Sequence, residues 1–145
     1  MVKEVQKQDT LIFKDLGLQM SWRLVYIIEY FGPCILFPLF YFCDETIYGV
    51  KAEKCWEQKI AFVMLMFHYT KRELESAFVH RFSSDTMPWI RVIYNSAFYW
   101  GLSGFLVGYW LFHPQYTPAA HLPDVVKFLL IATFFTCECM NGVCH

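Results

Sequence analysis

Residues 22–43 read WRLVYIIEYFGPCILFPLFYFC. A helix needs about 20 mostly apolar residues to cross roughly 30 Å of hydrocarbon, and this run has that length. A soluble helix of the same size would carry a polar stripe along one side, which this run lacks. Pro33 and Pro38 are expected to bend the helix, with neighbours satisfying the freed carbonyls. Three further runs of similar character follow, at about Trp56–Val79, Trp89–Phe112 and Val125–Cys144. The expected fold is therefore all-α: a polytopic transmembrane helix bundle of about four spans, lying in a lipid bilayer.

The connections fit this division. Residues 44–55 are polar and contain Gly49, residues 80–88 are short, and residues 113–123 hold three prolines. Trp22, Tyr41, Trp56, Trp89, Tyr109 and Trp110 crowd the ends of the runs, as an interfacial belt requires. Composition agrees, with 57% hydrophobic and 20% aromatic residues. Charged residues are 17%, against about 25% in ordinary globular chains. The net charge of −1 leaves no basic face for nucleic acid. Cys34, Cys43, Cys55, Cys137, Cys139 and Cys144 fall mostly in or beside apolar runs, where thiols act as small hydrophobes rather than as a disulfide framework. Met1–Leu16 is polar, so no cleavable signal peptide is expected there.

Lys and Arg set the expected orientation. With alternating crossings, Lys3, Lys7, Lys14, Arg23, Lys71, Arg72, Arg81 and Arg91 share one side, and Lys51, Lys54, Lys59 and Lys127 the other. That excess places the N-terminus in the cytoplasm.

Each run also carries groups that lipid does not tolerate. With a rise of about 1.5 Å per residue, Glu29, Lys71, Glu75, Asn95 and Glu138 all fall about 6–12 Å inside the same face. On the second run His68, Lys71, Arg72 and Glu75 lie within an arc of roughly 100°, whereas Glu73 and His80 lie elsewhere. An ionisable group in hydrocarbon costs about 2.5–3.5 kcal/mol, so such a stripe faces a cavity or a partner. A plainer reading competes with this. Lys71, Arg72 and Arg91 are near enough to the interface to snorkel, and Lys71 and Glu75 can simply pair at i,i+4. Asn95 and Ser96 can bond across helices, and Gly104–Gly108 reads as close helix packing. The tail CECMNGVCH matches no standard zinc spacing. No Walker loop, GxGxxG, HExxH or GxSxG occurs.

Five stretches carry a resemblance: KDLGLQMSWRLVYIIEYFGP (14–33), FHYTKRELESAFVHRFSSDTMP (67–88), YNSAFYWG (94–101), HPQYTP (113–118) and CECMNGVCH (137–145). From about Leu11 to His145 the chain resembles the very-long-chain trans-2-enoyl-CoA reductases of the steroid 5-alpha-reductase superfamily. The resemblance implies a multi-pass enzyme of the endoplasmic reticulum membrane. It would reduce a very-long-chain trans-2-enoyl-CoA to the saturated acyl-CoA with NADPH, the last step of each fatty-acid elongation round, which also feeds sphingolipid synthesis. The elongase, ketoacyl-CoA reductase and hydroxyacyl-CoA dehydratase are the partners it implies. Glu29, Lys71 and Glu75 match the family's active-site polar residues. Glu138, Asn141 and His145 match polar positions on the helix leading to the cofactor.

Residues 1–21 are then expected to be a cytoplasmic segment left from a ubiquitin-like domain. Residues 22–145 are expected to be the N-terminal half of the reductase domain, truncated relative to the family. In the family a tyrosine beyond the position of His145 is the proton donor. Two other functions stay open on the sequence: an inactive truncated membrane subunit or fragment associating with elongase enzymes, and a steroid or polyprenol reductase of the same superfamily.

Overall fold

The structure is a computed structural model, and it describes residues 15–81, 85–118 and 122–143. Residues 1–14 of the expected N-terminal segment lie outside those residues, as does His145. A three-residue strand, β1 (Gln19–Ser21), leads into α1 (Trp22–Phe42). The Ser21 hydroxyl accepts a hydrogen bond from the Leu24 amide at 3.3 Å, satisfying one of the free donors at the helix start. A short helix α2 (Asp44–Tyr48) stops at Gly49, whose φ of 73° is a left-handed conformation that glycine adopts without Cβ strain. Next come α3 (Trp56–Leu74), which runs on as a π-helical turn over Glu75–Val79, and strand β2 (Thr86–Pro88). The third apolar run is α4 (Ile90–Ser96), an eleven-residue π-helical stretch Ala97–Val107, and α5 (Gly108–Leu111). The last is α6 (Asp124–Val143).

All four apolar runs of the sequence are therefore helical, with ends within a residue or two of those expected. Among the described residues, α1 and α6 are long and apolar enough to cross a membrane by length and composition. The other two runs differ from that pattern. α3 contains Glu57, Lys59, Lys71, Arg72 and Glu73, and the third run is divided by its π-helical centre.

α1 is the central helix, packed against α3 on one side and the π-helical stretch on the other. Tyr30, Phe37, Phe40, Tyr69 and Phe112 form the buried core. Gly104 and Gly108 let the third run press against α1. A Cβ on Gly104 would lie 2.7 Å from Leu36 Cδ1, and one on Gly108 would lie 2.8 Å from Phe40 Cδ2. This is the close packing that the small-residue spacing predicts.

β1 and β2 pair antiparallel, with Met20 opposite Met87 and Gln19 opposite Pro88. The pairing puts the starts of α1 and α4 at one end of the bundle. The opposite end is fixed by polar contacts. Tyr48 donates to the Tyr109 carbonyl at 2.8 Å, Lys54 to the Phe112 carbonyl at 2.9 Å, and Gln58 to the Leu111 carbonyl at 2.8 Å. Burial pushes the Tyr48 hydroxyl up to about 12. Asp44 is held below the ordinary carboxylate range, chiefly by the Ala52 amide, with help from the Glu45 amide and Lys54.

Candidate functional site

At the C-terminal end of α3, four ionisable side chains emerge within eight residues. His68, Lys71, Arg72 and Glu75 share a face because residues three and four apart are neighbours on a helix. α6 brings Glu138 across to them. The Lys71 ammonium donates to Glu75 Oε1 at 3.0 Å and to Glu138 Oε2 at 3.1 Å. Glu138 Oε1 lies 2.6 Å from His68 Nδ1. Arg72 donates to Glu75 Oε2 at 2.9 Å and to the Tyr30 hydroxyl at 3.3 Å, and its guanidinium lies 5.4 Å from the Tyr30 ring centre.

Two carboxylates thus face two fixed cations and an imidazole. Such balance matters, because an uncompensated charge in a low-dielectric setting costs several kcal/mol. The plainer i,i+4 pairing of Lys71 with Glu75 is present, and α6 adds a second carboxylate to it. Glu75 and Glu138 are buried, at 8% exposure each, and Glu138 is the one buried residue of α6 among those described.

Sequence reasoning placed Glu29 with Lys71 and Glu75 by depth. The structure instead gives Glu29 a separate partner: it is 1% exposed and accepts from the Asn95 side-chain amide at 2.8 Å. The cause is direction around the helix. Glu29 faces α4, whereas Tyr30, one residue on, turns toward Arg72. The sequence reading also left out Tyr30 and Ser103. Tyr69 bonds Ser103, and the Tyr69 and Tyr30 rings lie 6.4 Å apart, tilted, in the core. No spacing rule flags either contact, because both depend on which helices become neighbours.

The resemblance linked Glu138 to a cofactor; in the structure its two oxygens are engaged by His68 and Lys71. Asn141 is exposed, one turn closer to the end of α6. Glu73, on the other face of α3, keeps one carboxylate oxygen buried without a hydrogen bond among the described residues.

An open cleft of about 730 Å³ lies beside the cluster, with Met66, Phe67, Leu74 and Phe78 as apolar walls and Lys71 and Glu75 at its polar edge. The arrangement sets a paired cation against a greasy groove, which suits a ligand with a polar head and an aliphatic chain.

No family model matches the chain, and no solved structure does. Curated proteins do. The chain is 43% identical over 143 residues to the "Very-long-chain enoyl-CoA reductase" of Dictyostelium discoideum, covering 99% of this chain and 46% of that protein. It is 39% identical over 138 residues to the "Probable very-long-chain enoyl-CoA reductase art-1" of Caenorhabditis elegans, covering 93% and 44%. The "Trans-2,3-enoyl-CoA reductase-like" protein of Mus musculus is 39% identical over 113 residues, covering 75% and 31%. The chain spans less than half the length of these curated relatives. It is a homologue of the proteins named very-long-chain enoyl-CoA reductase.

Proposed function

We propose that this chain forms the substrate-holding part of a membrane enzyme that reduces trans-2-enoyl-CoA to saturated acyl-CoA. The observation that carries the reading is the compensated charge cluster at the edge of an apolar cleft, in a homologue of proteins named for that reaction. Reduction of an α,β-unsaturated thioester develops negative charge on the thioester oxygen, and fixed cations stabilise it best. Lys71 is the group we assign to that oxygen. Glu75 holds Lys71 in place and keeps Arg72 aligned beside it. The aliphatic chain lies along the apolar cleft.

We further propose NADPH as the reductant, which would supply the hydride for the β carbon. Asn141 of α6, and His145, which lies outside the described residues, are the positions we assign to its binding. We read all four apolar runs as membrane crossings in the endoplasmic reticulum, with the N-terminus cytoplasmic. Work alongside an elongase, ketoacyl-CoA reductase and hydroxyacyl-CoA dehydratase follows from the same reading. The exposed apolar side chains of α1 and α6, such as Phe31, Ile35, Leu129 and Leu130, support contact with lipid.

The test is NADPH oxidation by membranes carrying the longest native reading frame that contains these residues, with a very-long-chain trans-2-enoyl-CoA. Lys71→Met is expected to lower kcat by about 100-fold or more, the usual loss for a preorganised oxyanion donor. Full activity in that variant, at normal expression, would remove Lys71 from the mechanism. No turnover by the unmodified protein would remove the reaction.

A further inference from the structure

We propose that Glu138 is a positioning residue, which holds the Lys71 ammonium at the cleft from across the helix pair. This deepens the enoyl-CoA reductase reading and rests on it.

Three observations point the same way. The first is the burial of α6. Its apolar side chains Val125, Phe128, Leu129, Leu130 and Met140 are exposed, and Glu138 is the buried one. Partly exposed ring pairs, Trp56 with Phe128 and Phe67 with Phe135, join α6 to α3. Ionic contacts add to them, with Lys127 to Glu57 at 2.8 Å near one end and Glu138 to Lys71 and His68 near the other.

The second is how Lys71 is held. A lysine ammonium has three donors on a flexible four-carbon stem, so one partner leaves it free to swing. Glu75 alone, on the same helix, is such a partner. Glu138 adds a second acceptor from another helix, and two acceptors from different directions fix the ammonium in place. Glu138 is itself fixed, because its other oxygen is engaged by His68 at 2.6 Å.

The third is Gly142, one helical turn after Glu138 and on the same face. A Cβ there would lie 3.5 Å from Lys71 Cε and 3.8 Å from Glu75 Oε1. The backbone of α6 thus passes directly over the lysine stem. An alanine fits that space at ordinary contact distance, and a leucine would crowd the lysine stem. α6 presents an acceptor for the head of Lys71 and a smooth floor for its stem.

The experiment uses the same membrane-expressed protein, with Glu138→Gln, Glu138→Asp, Gly142→Ala and Gly142→Leu. Glu138→Gln keeps the shape and removes the charge. It is expected to lower kcat at least 10-fold while KM for the enoyl-CoA stays within 2-fold, because the substrate's chain still binds the cleft. Glu138→Asp restores part of kcat. Gly142→Ala stays within 3-fold of the starting protein, and Gly142→Leu falls with Glu138→Gln.

A second readout needs no turnover. Labelling by an amine-reactive anhydride, followed at Lys71 by mass spectrometry, is expected to rise at least 5-fold in Glu138→Gln, with Lys51 as the internal reference. An unchanged kcat in Glu138→Gln, or equal loss in Gly142→Ala and Gly142→Leu, overturns the proposal. Should the unmodified protein fail to reduce any enoyl-CoA, the reaction assignment falls. Labelling of Lys71 then decides the positioning role, and an unchanged rate overturns it.

Discussion

The Glu29–Asn95 pair joins α1 to α4 and lends itself to a double-mutant cycle. Glu29 is 1% exposed, and the amide of Asn95 reaches its Oε1 at 2.8 Å. Hydrogen bonds to a charged group are worth about 1.5–3 kcal/mol in soluble proteins, and those between membrane helices average about 0.6 with a maximum near 1.7. Glu29 is a buried acceptor with a donor at 2.8 Å, so under the proposed four-span arrangement the upper part of the membrane range applies, about 1.5 kcal/mol. Asn95→Leu alone should cost about 2 kcal/mol, since it strands a buried acceptor as well as losing the bond. Glu29→Met in the same chain removes the stranded group, so the double variant should be more stable than the sum of the singles by about 1.5 kcal/mol. Unfolding by SDS in mixed micelles, followed through tryptophan fluorescence, measures all four corners. Additivity within about 0.4 kcal/mol would refute the reasoning, because it would mean that the two side chains do not depend on each other.

Three further outcomes follow from close contacts and from the loop after α1. Gly32→Ala drives a Cβ into the Trp100 ring, which must then leave the Ile28 carbonyl it donates to at 2.8 Å. A loss of about 1–3 kcal/mol is expected, with a changed tryptophan emission in detergent. Gly104→Ala meets the flexible tip of Leu36 at 2.7 Å, so it should cost less than Gly32→Ala in the same unfolding assay. Asp44 accepts from the Glu45 and Ala52 amides, at 2.9 and 3.2 Å, and its carboxyl is held below the usual range. A depressed carboxylate contributes stability above its unfolded pKa and loses it as pH falls through the folded one. Pepsin cleavage between residues 49 and 55 should therefore rise steeply at the acid end of the profile, and Asp44→Asn should flatten that rise.

Much of the fold was legible because hydropathy over a 20-residue window is a strong, local signal. The limits of α1, α3 and α6 match the apolar runs, and the polar face of His68, Lys71, Arg72 and Glu75 follows from helical geometry alone. Partnership was less legible. Depth along a helix placed Glu29 and Lys71 in one layer, but it said nothing of the angle at which α1 meets α3 and α4. That angle sends Glu29 to Asn95 and Tyr30 to Arg72. The π-helical stretches were hidden for a similar reason. A wider helical turn of this kind leaves no mark in the hydrophobic periodicity that the sequence offers. Strands of three residues, β1 and β2, are too short for alternation to register.

That small ribbon bears on how the molecule is made. Its two strands lie roughly 70 residues apart along the chain, so closing it carries the entropy of a long loop. When Thr86–Pro88 is synthesised, everything up to the end of α3 has already been made, while α4 and α6 have not. Knitting Met20 to Met87 therefore waits until α1 and α3 have been made. It fastens the helical pair α1 and α3 to the chain that follows them.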